Sequence, residues 1–265
     1  MTEPEVLAAE LKNGVLVLEM NRPKVNALNS ELVAALLKAF QGAEREAAVR
    51  CVLLRGRGEN FSAGQEIAEF QEAHSRIDRQ AVIRRHLQQT YNPLILQIRR
   101  LPKPVIAAIQ GAVSGAALGL ALACDLRIAA ESAFFVVGFA GIGLAPDSAV
   151  SLLLPAMIGL GRAAQYCFSN LPIHAGQALE WGLVNRVVKA DLLVEESFSM
   201  AAQLADGPIH AMGLAKRAFN KAVLPDLERV LDYEAHLQEV AGRGREHREG
   251  LQAFIEKRSP NFPDS

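Results

Sequence analysis

Residues Pro104–Asp125 read PVIAAIQGAVSGAALGLALACD, and their pattern decides the fold class. Pro104 to Ile109 is a short apolar run of strand type, and a helix follows from about Gly115 to Ala123. Between them the chain turns through small residues, Gln110-Gly111-Ala112-Val113-Ser114-Gly115-Ala116-Ala117. Strand, tight turn and helix in direct succession are the unit of an α/β protein. This is also the most apolar stretch of the chain, yet Gln110, Ser114 and three glycines interrupt it. It therefore falls short of the roughly 18 apolar residues that a membrane span needs.

Working outward, the same alternation continues on both sides. Val6 to Leu11 and Val15 to Met20 read as strands joined at Asn13-Gly14, a hairpin turn signal. A helix is expected from about Ser30 to Glu46, capped by Asn29 or Ser30, with Leu32, Val33, Leu36, Leu37 and Phe40 on one face. Cys51 to Leu54 reads as a buried strand, and Asp78 to Arg100 as helix interrupted at Pro93. Leu126 to Ala129 and Phe134 to Phe139 are further strands; beyond Pro146 helices dominate, apart from Val184 to Val188. Late stripes (Leu227, Val230, Leu231, Leu237, Val240, then Leu251, Phe254, Ile255) exceed what a small helical unit could bury alone. The expectation is an α/β core over residues 1–200 and a helical oligomerisation portion over 201–265, ending in a loose tail from Pro260 to Ser265.

Charge and composition narrow the function. Among 265 residues, 28 Lys and Arg against 29 Asp and Glu leave a net charge of −1, without the basic field of a nucleic-acid binder. Three dispersed cysteines, Cys51, Cys124 and Cys167, without a CxxC, point to a reducing compartment and away from a zinc site. The segment Met1 to Glu5 is acidic, unlike a signal peptide. The expected location is the cytoplasm, with no membrane partner. Histidines at 74, 86, 174, 210, 236 and 247 are scattered, so no metal site is expected. The cluster Arg243, Arg245, His247, Arg248 reads as a solvated helix face.

Two features could carry chemistry. The small-residue turns Phe61-Ser62-Ala63-Gly64-Gln65-Glu66 and Gln110 to Ala117 would let a ligand approach the backbone closely, with N–H donors at a helix start. Together they could form an oxyanion hole; equally, each could be a tight turn beneath a packed helix. Asp147, in Gly143-Leu144-Ala145-Pro146-Asp147-Ser148, has apolar sequence on both sides. It could cap a helix, or serve as a general base whose pKa an apolar pocket raises.

Taken together the segments resemble the enoyl-CoA hydratase/isomerase (crotonase) superfamily over nearly the whole chain. The matching stretches are Asn21-Arg22-Pro23-Lys24-Val25-Asn26-Ala27-Leu28-Asn29, Phe61 to Ile67, Pro104 to Asp125, Ala175 to Val188 and Phe254 to Arg258. The resemblance implies a spiral of ββα units, acyl-CoA thioester substrates, and trimers or dimers of trimers. Coenzyme A would arrive as part of the substrate, with no other cofactor. Carried over by position, the oxyanion donors are the backbone N–H groups of Ala63 and Ala116. Lys24, Val25, Ala27, Gly64, Gln65, Glu66, Ile67, Phe139, Phe254 and Lys257 are substrate and CoA contacts. Phe254 to Lys257 are expected against CoA bound to an adjacent subunit.

Departures from the family pattern narrow the reaction. Gly119 and Phe139 occupy the positions of the two hydratase glutamates, and neither can move a proton. Asp147 falls where isomerases of the family carry their single acid, and its surroundings resemble the ring-epoxide (phenylacetyl-CoA pathway) isomerases. An acyl-CoA isomerase with Asp147 as acid and base is therefore expected. The alternatives are a non-catalytic acyl-CoA binder, a hydratase, or an aryl-CoA dehalogenase or hydrolase.

Overall fold

The computed structural model describes residues 5–69 and 82–264; His74 and residues 78–81 of the expected helix lie outside them. Strands β1 (Leu7–Lys12) and β2 (Val15–Met20) pair antiparallel. Asn13 (φ 50°) and Gly14 (φ 75°) both take the left-handed backbone that fits a tight hairpin to the strand twist. Helix α1 (Ser30–Arg45) starts at Asn29, whose side chain accepts the Leu32 N–H. Strand β3 (Cys51–Gly56) lies parallel to β2. Helices α2 (Val82–Gln89) and α3 (Tyr91–Arg100) meet at Thr90 rather than Pro93. The proline sits in the first turn of α3, where its missing N–H costs no helical bond.

β4 (Val105–Ile109), β5 (Ala112–Ser114) and α4 (Ala116–Ala123) come from the decisive stretch, followed by β6 (Leu126–Ala130) and β7 (Phe134–Val136). β7 ends earlier than the expected Phe139. Gly138 turns left-handed (φ 86°), and its N–H goes to the Asn170 side chain at 2.8 Å instead of to a ladder. Then come α5 (Val150–Ile158), α6 (Leu160–Ser169), β8 (Ile173–His174), α7 (Ala175–Glu180) and β9 (Arg186–Val188). Four helices follow: α8 (Leu193–Asp206), α9 (Ile209–Val223), α10 (Leu227–Gly242) and α11 (Arg245–Glu256).

The strands form a six-stranded sheet in the order β1-β2-β3-β4-β6-β9 and a three-stranded sheet β5-β7-β8. Single parallel bridges, Leu28 with Gln65 and Ser62 with Val113, extend the small sheet. Each turn of the chain thus contributes a strand to the large sheet, an extended piece to the small one, and a helix: the ββα spiral. Residues along β3 and β4 alternate between two cores. Cys51, Leu53, Ile106 and Ala108 face α8, while Val52, Leu54, Val105 and Ala107 face the main core. A parallel sheet buried on both faces requires such unbroken apolar runs.

The C-terminal helices do not stand apart. The expected boundary at 200/201 falls inside α8, which covers the large sheet. Leu227, Leu231 and Ala235 of α10 join the main core, whereas Val240 is exposed. His247 is buried, not part of a solvated face, and its Nδ1–H donates to the Ile142 carbonyl at 2.8 Å. The tail is also tied down: Asn261 N–H donates to Glu249 at 2.8 Å, and residues Phe262–Asp264 form a 3₁₀ turn.

Candidate active site

The two small-residue turns lie side by side. Ser62 N–H donates to Ala112 O at 3.1 Å, and Ser114 N–H returns to Ser62 O at 3.2 Å. Gly64 (φ 92°) allows the approach: a Cβ there would lie 2.6 Å from Ser114 O and 3.8 Å from Ala116 N. Buried Asn26 braces the first turn, giving its side-chain N–H bonds to Arg57 O and Asn60 O.

Within the first turn, hydrogen-bond direction separates the donors. Ala63, expected as an oxyanion donor, spends its N–H on Val25 O at 3.0 Å, which corrects that assignment. Around Leu28, Gly64 O accepts the Leu28 N–H at 2.7 Å and Glu66 N–H donates to Leu28 O at 2.9 Å. Because successive backbone groups along an extended strand alternate sides, the Gln65 N–H between them points away from that partner. It finds no acceptor among the described residues. Ala116 opens α4 after Gly115 (φ 57°), so its N–H has no helical partner either.

Both turns face a cavity of about 400 Å³. Of the expected contacts, Val25, Ala27, Ala63, Gly64, Gln65, Glu66, Ile67, Ala116, Phe139 and Phe254 line it, as does Asp147. Lys24 and Lys257 do not; both are exposed and next to or near lining residues. Phe254 lines the cavity of its own chain. Ile83, Leu87, Val136, Ile142 and Leu144 make much of the remaining wall apolar. Among the described residues, no group of three His, Cys, Asp or Glu side chains could hold a metal ion, and no helix is long and apolar enough to cross a membrane.

Asp147 is 7% exposed, and burial pushes its carboxyl up to about 6. Its side chain caps no helix. Oδ1 accepts the Ser148 hydroxyl at 2.8 Å and Oδ2 accepts a side-chain N–H of Gln238 at 2.7 Å. The residues after it, Ser148 (φ 54°) and Ala149 (φ 64°), are both left-handed, a strained pair for non-glycine residues. Glu234 of α10 holds them in place. It accepts the N–H groups of Ala149 (2.8 Å) and Ser151 (3.0 Å) and the Ser151 hydroxyl (2.5 Å), and burial raises its carboxyl to about 7. Tyr91, fully buried nearby, is pushed well above its ordinary value by burial and by the Asp147 charge. Glu66, the other acid in the wall among the described residues, is paired with Arg22 at 3.2 Å and a third exposed.

Gly119 explains how Asp147 comes so close to α4. A Cβ there would run into the Ser148 carbonyl and side chain, so only glycine lets the Asp147 segment rest on the central helix.

Comparison with known proteins gives a consistent picture. The profile of the enoyl-CoA hydratase/isomerase family matches residues 10–265. The chain is 37% identical to the 1,2-epoxyphenylacetyl-CoA isomerase of Escherichia coli K12, covering 97% of this chain and 98% of that one. It is 32% identical to the trans-2-decenoyl-[acyl-carrier-protein] isomerase of Streptococcus mutans, over 94% and 95% of the two chains. Among solved structures, an enoyl-CoA hydratase from Mycobacterium avium subsp. paratuberculosis superposes with a TM-score of 0.86 at 34% identity, covering 97% and 98%.

Proposed function

The chain belongs to the enoyl-CoA hydratase/isomerase family, and from that premise we propose that it is an acyl-CoA isomerase in which Asp147 moves a proton between two acyl carbons. The observation that carries this reading is the asymmetry of acids in the cavity. Asp147 is buried, raised to about 6 and without a cation partner among the described residues, while the hydratase position Gly119 is closed by Ser148 and Phe139 is wall.

In this reading the thioester oxygen sits between the backbone N–H groups of Gln65 and Ala116. As Asp147 takes a proton, a C–H bond breaks and its electron pair flows into the thioester enolate. Each donor typically stabilises such charge by roughly 2.7–4 kcal/mol. The protonated Asp147 then gives the proton to a second carbon, which shifts the double bond. One carboxylate suffices, being base first and acid second. Phe139 and Val136 shape the acyl pocket. Coenzyme A comes with the substrate and no other cofactor takes part. Phe254 would touch the CoA, and Lys24 and Lys257 would meet its phosphates. We also place the protein in the cytoplasm, as a homotrimer or dimer of trimers. Exposed Leu160, Phe168 and Leu171 offer apolar surface for that assembly.

The test is turnover of a panel of 3-enoyl-CoA substrates, followed by the absorbance of conjugated 2-enoyl-CoA. The Escherichia coli relative is named for an aryl-epoxide thioester, so that class belongs in the panel. Isomerisation without hydration of 2-enoyl-CoA is expected. Robust hydration would overturn the reading in favour of a hydratase, halide release from an aryl-CoA in favour of a dehalogenase, and binding without turnover in favour of a non-catalytic member.

A further inference from the structure

The side chain that reaches Asp147 from furthest along the sequence is Gln238 of α10, 1% exposed and part of the cavity wall. Its Nε2–H donates to Asp147 Oδ2 at 2.7 Å, while its Oε1 is buried with no hydrogen-bond partner among the described residues. An unpartnered buried carbonyl is costly, so its presence beside the reacting group calls for an explanation. We propose that Gln238 is a positioning residue that serves Asp147 in both of its protonation states, donating to the carboxylate and, with its amide turned over, accepting from the carboxylic acid. This rests on the reading of Asp147 as the proton carrier.

A group that shuttles a proton alternates between an acceptor and a donor. A partner that can only donate, such as a backbone N–H or an ammonium, suits the charged form alone. Asp147 has no such partner among the described residues: it meets one hydroxyl and one amide, and both can reverse. The hydroxyl of Ser148 reverses by rotating. The amide of Gln238 reverses by a half-turn about its terminal torsion, which is broad and nearly two-fold. Because Oε1 holds no second bond, that half-turn breaks nothing except the bond to Asp147 itself. Glu234, four residues earlier on the same helix, shows the opposite arrangement. Two backbone N–H groups fix it as an acceptor, which suits a brace and not a carrier.

Other ionisable groups also act on Asp147 and must be separated from Gln238. Glu234 of α10 and Tyr91 of α3 interact with it electrostatically, and His86 of α2 and Glu66 of the first turn share its cavity. The decisive comparison leaves all four in place. Q238M keeps the length of the side chain but removes both polar atoms. It should lower kcat by about ten- to a hundredfold with KM within threefold, and raise the acid limb of the kcat/KM pH profile by about one unit. Q238E, which adds a like charge, should raise that limb further. A packing role would lower the melting temperature and leave the limb where it is.

D147N separates the role of Gln238 from that of Asp147. If D147N keeps its activity, the underlying reading fails. If D147N is inactive but Q238M keeps the wild-type kcat and pH profile, only the role of Gln238 fails. Should neither Gln238 variant fold, the wild type still decides. The side-chain amide resonances of Gln238 should titrate together with Asp147, and resonances unchanged across that pH range would overturn the proposal.

Discussion

Two aspartates flank the central helix and illustrate opposite uses of a carboxylate. Asp125, just past the end of α4, is surrounded by fixed positive charge. Arg99 reaches it at 3.0 Å, Lys216 at 2.8 Å, and the Val105 N–H at 2.9 Å. Asp147, on the other side, is more deeply buried and meets, among the described residues, a hydroxyl and an amide. The partners of Asp125 are two cations and a backbone N–H, all of which can only donate, whereas burial against neutral, reversible partners pushes the Asp147 carboxyl up to about 6. On the proposed function, the same side chain is a brace in one place and a proton carrier in the other. The environment decides which, not the residue type.

Exchanging each acid for its amide is the strongest way to break this comparison. D147N should lose about a thousandfold in kcat, the upper range for removal of an acid–base group, while acyl-CoA affinity stays near wild type. D125N should do the reverse. It leaves Lys216 buried without its counter-charge and should cost about 3 kcal/mol of stability, with turnover retained in the folded fraction. Steady-state kinetics and calorimetry on both variants test the pair. Activity lost equally in both would mean that the distinction is wrong.

The pH dependence sharpens it. Asp147 must be ionised to act as a base, so kcat/KM should rise through an apparent pKa of about 6 and level off above it. Stability runs the other way. The carboxyl is raised from 3.8 to about 6 on folding, so the folded state binds this proton more tightly than the unfolded one. This contribution is complete below about pH 3.8 and is lost as pH rises through 6. At about 1.4 kcal/mol per unit, it removes up to about 3 kcal/mol, and D147N should be the more stable protein at pH 8. A D147N melting temperature below wild type at pH 8 would contradict this.

How much of this could be read from the sequence depends on the range of the signal. The strand-turn-helix of Pro104–Asp125, the paired turns and Asp147 are local patterns, and each lies where its pattern put it. The direction of the Ala63 N–H is not a local property, because hydrogen-bond direction depends on which strand lies alongside. Only the pairing of Leu28 with Gln65 reveals that residue 65 points outward. Gln238 and Glu234 were missed for a different reason. A hydrophobic stripe of Leu227, Val230, Leu231, Leu237 and Val240 locates an apolar face, but the buried face of α10 is rotated from it. That face carries Glu234 and Gln238 inward against the strained turn and the Asp147 carboxylate, and Glu239 inward against the N–H groups of Ile83 and Arg84. Hydrophobic periodicity cannot register a helix whose packed surface is polar. Likewise His247 is buried by a backbone carbonyl 105 residues earlier in the chain.

Gly119 tests the contact between the central helix and the Asp147 segment at a smaller scale. G119A places a Cβ against Ser148 and should cost about 2 kcal/mol, the usual range for overpacking, with a fall in kcat as the Asp147 cradle is displaced. G42A is the control, because nothing lies within 4 Å of the Cβ it adds to α1. It should stabilise by up to about 1 kcal/mol through helix propensity and leave kcat alone. The same clash implies that G119E with F139E will not yield a well-folded hydratase, and a soluble, cooperative and strongly hydrating double variant would show that the segment can yield.

The smallest effects should come from charges that have neither kind of partner. Lys24 and Lys257 are exposed, with left-handed backbone (φ 72° and 55°), and their side chains meet no acid among the described residues. The turns place them beside Val25 and three residues beyond Phe254, both in the cavity wall. Such ammonium groups are compact point charges suited to the phosphates of a bound CoA thioester. Because they are fully solvated before binding, each contact should be weak and screened. K257A should weaken acyl-CoA binding about fivefold at low ionic strength, leave kcat unchanged, and lose most of its effect in 0.5 M salt. K24A should behave alike, and the two should add. A K257A affinity equal to wild type even at low salt would remove this lysine from the binding surface. A large, salt-independent loss would instead mean that it is buried on binding, as Lys216 is beside Asp125.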